Sequence, residues 1–169
     1  FRLGALVIPE YGRTYAEEHG TEFDEIDLLA IFDGHVAATR AALAQNPEWL
    51  VSDTDPLMTQ AWAVMLLGRR LPEIDLWDEP ADLYLVPAMD LPWEEDGTRL
   101  FGSDLARRQF MDVAIGELER RNLTPVGSHW VSVLDSAATN ERSAVIAGAK
   151  ARWFVPEVTA ALVAILDRG

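Results

Sequence analysis

The sequence predicts an α/β fold, a parallel sheet with helices on both faces. Short apolar runs of strand length occur at Ala5–Ile8, Trp49–Val51 and Asp82–Val86. Stretches with helical periodicity separate them. Each run stops at a turn-forming residue or polar cluster, namely Pro9, Ser52-Asp53 and Pro87. Strands alternating with helices in this way favour parallel pairing through helical crossovers.

Taken in order, Ala5–Ile8 is a strand closed by Pro9. Residues from about Glu25 to Gln45 place Ile26, Leu29, Ala30, Val36, Ala37 and Leu43 near helical spacing, and Gly34 interrupts that pattern. Trp49–Val51 reads as a buried strand leading into Ser52-Asp53-Thr54-Asp55. Pro56 suits the first turn of a helix running to Leu67, with Gly68 as its stop. Asp82–Val86 is the next strand, followed by a polar segment from Asp90 to Ser103. Ser103 is a good N-cap for a helix that carries Leu105, Met111, Ile115 and Leu118 on one side and stops near Asn122. Beyond it, Thr124–Val126 begins a short strand, and Asn140–Ala151 and Pro156–Leu166 read as helices.

At 169 residues and 49% hydrophobic, the chain is the size of a single domain, 1–169, with a core of its own. It has no Cys, which removes disulfides, thiolate zinc sites and a cysteine nucleophile, and fits a reducing, cytoplasmic setting. No apolar run is long enough to span a membrane, and the first residues lack the pattern of a secretory signal. The formal charge of −14 repels polyanions, so nucleic acid and anionic membrane are not expected partners. A small phosphorylated ligand needs local cations, backbone N–H groups or a metal ion to offset that field. The only Lys, Lys150, sits in Gly148-Ala149-Lys150-Ala151, without the glycine pattern or following Ser/Thr of a phosphate loop. His19, His35 and His129 are scattered, against a zinc site, and no Ser-His-Asp arrangement occurs.

Four motifs lie in order along the chain: Glu10-Tyr11-Gly12-Arg13; Asp53-Thr54-Asp55 with Thr59-Gln60-Ala61; Trp93 with Asp96-Gly97 and Arg99; and Gly102-Ser103 with Arg107. Together, over roughly Ala5 to Asn122, they resemble the ribosylnicotinamide kinase domain of the bifunctional NAD-salvage proteins, within the P-loop kinase superfamily. The resemblance implies an ATP- and Mg2+-dependent kinase that converts nicotinamide riboside to nicotinamide mononucleotide. It also implies a fused adenylyltransferase domain or a homo-oligomer as partner. Two other readings stand beside it: a related P-loop ATPase or kinase for another nucleoside or small molecule, and a non-catalytic nucleotide-sensing module of a regulator. Pro9 occupies a position where family members carry an aromatic residue, which leaves the substrate open.

On this resemblance Asp53, at the C-terminal end of a strand, is the candidate magnesium ligand; as a plain structural residue it would instead cap the following helix. Glu10 and Asp55 are candidates for gripping ribose hydroxyls or accepting the proton of the attacking hydroxyl, in roles not divided between them. Arg13, Arg99 and Arg107 form the cationic set. Arg99 and Arg107 belong to a lid over about 90–108 that closes on phosphates, unless they are ordinary surface arginines. Trp93 either stacks on the substrate ring or anchors packing. His35, beside Gly34, is either a substrate ligand or a structural histidine. The phosphate loop that should hold the ATP phosphates is not in the sequence. An upstream extension of roughly 25 to 40 residues, enough for a strand, that loop and most of a helix, is therefore expected.

Overall fold

The computed structural model describes residues 5–82, 84, 86 and 102–123. Strands β1 (Leu6–Ile8) and β2 (Leu50–Ser52) pair in parallel, with Leu6 opposite Leu50, Val7 opposite Val51 and Ile8 opposite Ser52. Backbone hydrogen bonds of 2.9 Å, from Leu6 N to Trp49 O and from Asp53 N to Ile8 O, extend the ladder at both ends. Parallel strands require a long crossover, supplied here by α1 (Tyr11–His19) and α2 (Glu25–Leu43). After β2 come α3 (Pro56–Leu67), the short α4 (Pro72–Asp75) and α5 (Asp104–Arg120). Among the described residues β2 pairs with β1 alone.

Local chemistry sets most of these boundaries. Asp24 caps α2 by accepting from Ile26 N and Asp27 N, while Asp27 reaches back to Asp24 N at 2.9 Å, a reciprocal capping box. α3 begins at Pro56 and ends at Gly68, whose φ of 68° is the left-handed geometry that glycine adopts without strain. Ser103 Oγ accepts from Ala106 N at 3.2 Å to open α5. By contrast, α1 was not expected. Glu10 makes no side-chain cap to it, and Ala16 is its one buried residue. It is held by packing of Tyr11 and Tyr15 against the core around Leu28 and Ile31, so tertiary contact rather than propensity forms it.

Two apolar clusters fill the interior. Leu28, Ile31, Ala63, Leu71 and Ile74 form one, and Val36, Leu57, Trp77 and Leu118 the other. Side chains alternate along a strand. Ile8 is buried on the face toward α2, whereas Val7, on the opposite face, is 54% exposed among the described residues. The run Asp82–Val86, expected as a strand, is unpaired at its described positions: Asp82 lies in a bend, and Tyr84 and Val86 pack against the second cluster. Tyr84 is drawn there by its hydroxyl, which donates to Asp55 Oδ2 at 2.5 Å. In α5, Leu118 is buried and Met111 and Ile115 are half-buried, as expected of that side, whereas Leu105 is exposed and Glu117 is buried. Glu117 is tolerated there because Arg70 and Arg120 both pair with it. The expected elements at Thr124–Val126, Asn140–Ala151 and Pro156–Leu166 lie outside the described residues.

Gln60, in the second motif, fastens α3 to the start of α4. Its Oε1 accepts from Leu71 N at 2.9 Å, and its Nε2 donates to Leu71 O and to Asp75 Oδ1, each at 3.0 Å. Both Gln60 and Leu71 are fully buried, so water cannot replace these bonds. Gln60→Met is expected to strand the buried Leu71 N–H, whereas Leu71 O still accepts from Ile74 N and Asp75 N, and to lower stability by about 1–3 kcal/mol. Urea denaturation measures this, and a loss below about 0.5 kcal/mol would contradict the assigned role.

Candidate functional site

The C-terminal ends of β1 and β2 open onto a cavity of about 80 Å3, lined by residues from the β1–α1 junction, α1, α2 and α3. Three of the expected substrate-side residues, Glu10, Arg13 and His35, line it together. Glu10 and Arg13 stand one helical turn apart, and Arg13 Nε lies 3.4 Å from Glu10 Oε2. This edge of an open α/β sheet is where ligands bind, because strand ends and helix starts converge there.

His35 forms part of the wall from within α2. It is 2% exposed, and its Nε2 lies 3.0 Å from Ser52 Oγ. Burial lowers its pKa from 6.5 to about 4, so the folded protein holds it neutral. Gly34 beside it serves packing: a Cβ there would lie 2.2 Å from Cε1 and Cζ of the Tyr11 ring. The glycine that breaks the helical pattern of α2 thus lets the Tyr11 ring of the first motif lie against α2.

The β2–α3 turn separates the two aspartates. Asp55, not Asp53, caps α3: its Oδ1 accepts from Leu57 N at 2.8 Å. Its other oxygen accepts from Tyr84. Burial raises the Asp55 carboxyl above its ordinary range, against the opposing pull of Tyr84 and the Leu57 and Met58 N–H groups. The same burial, with the Asp55 carboxylate beside it, raises the Tyr84 phenol. The structure therefore gives Asp55 a structural task; of the Asp53-Thr54-Asp55 turn, Thr54 alone lines the cavity, with Asp53 and Asp55 on either side of it. Asp53 directly follows β2 and donates its backbone N–H to Ile8 O. Thr54 between the two aspartates has φ 77° and lines the cavity.

Arg107 sits in the first turns of α5, with 16% of its side chain exposed and its Nη1 3.5 Å from Asp104 Oδ1. Residues 104–108 of the expected lid are thus helical. Trp93 and Arg99 lie outside the described residues. Sequence reasoning missed Phe23, Met58, Thr59 and Trp62 as cavity residues. Helical spacing held a signal for the last three, since Met58, Thr59 and Trp62 share a face of α3. Trp62 also packs on Phe110 of α5, ring centroids 4.8 Å apart.

Magnesium is commonly held by one or two carboxylates, with water and substrate phosphates completing its shell. Asp53 is a carboxylate of the type this requirement calls for, placed directly after β2, and the cap of α3 is made by Asp55. Among the described residues no group of three or more His, Asp or Glu could hold a metal ion by protein ligands alone. Among them, too, no helix is long and apolar enough to cross a membrane.

A family model described as an AAA domain matches residues 2–133. The chain belongs to this AAA-domain family. It is also similar to the trifunctional NAD biosynthesis/regulator protein NadR of Escherichia coli K12, 30% identical over 122 residues. The NadR of Salmonella typhimurium LT2 matches at the same identity and length. Each alignment covers 68% of this chain and 29% of the relative, so the chain spans less than a third of the NadR proteins it matches.

The buried histidine makes stability depend on pH. Below about 6.5 the unfolded chain binds a proton at His35 that the folded chain refuses until about 4. The stabilisation is complete above the unfolded value and is lost as the pH falls through this window. Between pH 7 and pH 5 the wild type should lose about 2 kcal/mol more than His35→Gln, which cannot titrate. Urea denaturation of both proteins at the two pH values is the measurement, and equal losses would show that His35 is protonated in the folded state.

Proposed function

We propose that this chain supplies the nucleoside site and phosphate-side arginines of an ATP-dependent kinase that phosphorylates nicotinamide riboside to nicotinamide mononucleotide. The observation that carries this reading is the convergence of Glu10, Arg13 and His35 on one cavity at the C-terminal edge of the β1–β2 pair. The motif resemblance to ribosylnicotinamide kinases and the NAD-biosynthesis name of the similar proteins support it.

In this reading the nucleoside enters with its ring toward Phe23 and Trp62, where aromatic side chains offer flat apolar contact. Glu10 accepts a hydrogen bond from a ribose hydroxyl, oriented by its ion pair with Arg13. The primary hydroxyl attacks the terminal phosphorus of ATP. Its oxygen forms the new P–O bond while the bond to the ADP oxygen breaks, and its proton passes to a carboxylate or to water. Asp53 is the residue that would hold magnesium, which when bound neutralises charge on the phosphates. On the motif resemblance Arg99 and Arg107 are the arginines that would act on the moving phosphoryl group, where most of the catalytic effect is electrostatic. Against the net charge of −14, these arginines supply the local positive field that a polyphosphate needs.

The test uses the full-length protein that carries this chain, with ADP release followed across a panel of nucleosides. Turnover is expected with nicotinamide riboside. Asp53→Asn should nearly abolish it while leaving the melting temperature close to wild type, because Asp55 retains the helix cap. Arg99→Ala and Arg107→Ala should each lower turnover by about 10²-fold or more. Turnover confined to another nucleoside would move the chain to a related kinase, and ligand binding without turnover would make it a sensor. Unchanged turnover in both arginine variants would remove the lid.

A further inference from the structure

Two cavity-lining residues, His35 and Thr54, are joined through a residue that no motif contains. Ser52 has one hydroxyl proton and donates it to Thr54 O at 2.6 Å. Its oxygen can then only accept from His35, 3.0 Å away, so the neutral imidazole carries its proton on Nε2. The link ends at a backbone conformation that β-branched residues rarely adopt: Thr54 has φ 77°. Such a conformation persists where its surroundings over-determine it. Here Thr54 O is pinned from one side by Ser52, and the next residue, Asp55, is fixed by its cap to Leu57 N and by Tyr84. Thr54 is thus held at both ends, and the buried imidazole anchors one of them.

We infer that His35 is a positioning residue: through the Ser52 hydroxyl it locks the left-handed conformation of Thr54 and so sets how the turn carrying Asp53 faces the cavity. The conformational part stands on geometry alone, and its effect on turnover rests on the nucleoside-kinase reading above. A glutamine at position 35 can present an amide N–H where Nε2–H now lies, whereas alanine at position 52 removes both bonds.

The experiment compares wild type, Ser52→Ala and His35→Gln in the full-length protein, with two readouts. The first is the NMR signature of positive φ at Thr54, a strong intraresidue amide-to-Hα contact. The second is the kcat and KM for nicotinamide riboside. Wild type and His35→Gln should keep the signature, and Ser52→Ala should lose it or show mixed conformers. In Ser52→Ala, kcat should fall at least about tenfold with a smaller change in KM, as misplacement of a positioned group predicts. His35→Gln keeps the donor to the Ser52 hydroxyl but changes the cavity wall, so its kcat should fall less than that of Ser52→Ala while its signature is kept. A Ser52→Ala protein that retains the signature overturns the proposal. So does a His35→Gln protein that loses it as completely as Ser52→Ala. An altered signature with unchanged kcat overturns the link to turnover. A wild type that turns over no nucleoside counts against the kinase reading instead, and the NMR signature still decides the lock.

Discussion

Ile8 lies opposite Ser52 in the parallel pair, and this register decides which side chains can meet at the cavity. With Ser52 on the face toward α2, its hydroxyl reaches the buried His35. Because side chains alternate along a strand, a slip of one residue would turn Val51 inward and carry Ser52 to the opposite face. His35 would then be a buried imidazole without its partner, and the Thr54 turn would lose its tether. Since Glu10 and Asp53 each follow a strand end closely, the register also sets the distance between the first two motifs. Few residues of backbone pairing thus govern most of the site, which is why the ladder is extended at both ends by bonds outside the strands proper.

The rest of the described chain stiffens the scaffold around that pair. Gln60 binds α3 to the chain entering α4, and Arg121 donates to Trp77 O and to Ile74 O, the latter at 2.7 Å, tying the end of α5 to α4. The arginines at this end engage acidic partners, with Glu117 between Arg70 and Arg120 and Arg120 also reaching Asp75. At the opposite end of α5, Arg107 stands near the cap, one turn from Asp104. One helix therefore has a clamped C-terminal half and carries its candidate phosphate-side arginine at the other end.

Elements with local signals were legible in the sequence. Pro56 and Gly68 bracket α3, Ser103 opens α5, and the strand runs end close to where pairing ends. What was not legible depends on contacts across the chain. α1 has no side-chain cap and is formed by packing of its tyrosines, and α4 is a single turn held by Gln60 and Arg121. Of the two aspartates of the second motif, the sequence offered Asp53 as the alternative cap and Asp55 as a substrate-side residue. Only the fold, by bringing Tyr84 and Leu57 N to Asp55, assigns the cap to that residue. The Asp82–Val86 run has strand composition, but pairing needs a neighbour, and its described residues pack by side chain instead. His35 was read as either ligand or structural residue; the structure makes it a buried, hydrogen-bonded member of the cavity wall.

The contact between Tyr11 and Gly34 bears on how this chain can change by descent. Any side chain at position 34 must expel the Tyr11 ring from its seat on α2, and the ring in turn is part of the cluster around Leu28 and Ile31. A lone substitution at position 34 is penalised at once. A smaller residue at position 11 leaves a void over the glycine. Neither site can drift alone, so the route to a different pair runs through a less stable ancestor or through two changes together. The Glu10-Tyr11-Gly12-Arg13 motif and the Gly34 position of α2 are bound into one heritable unit, independently of whatever ligand the cavity takes.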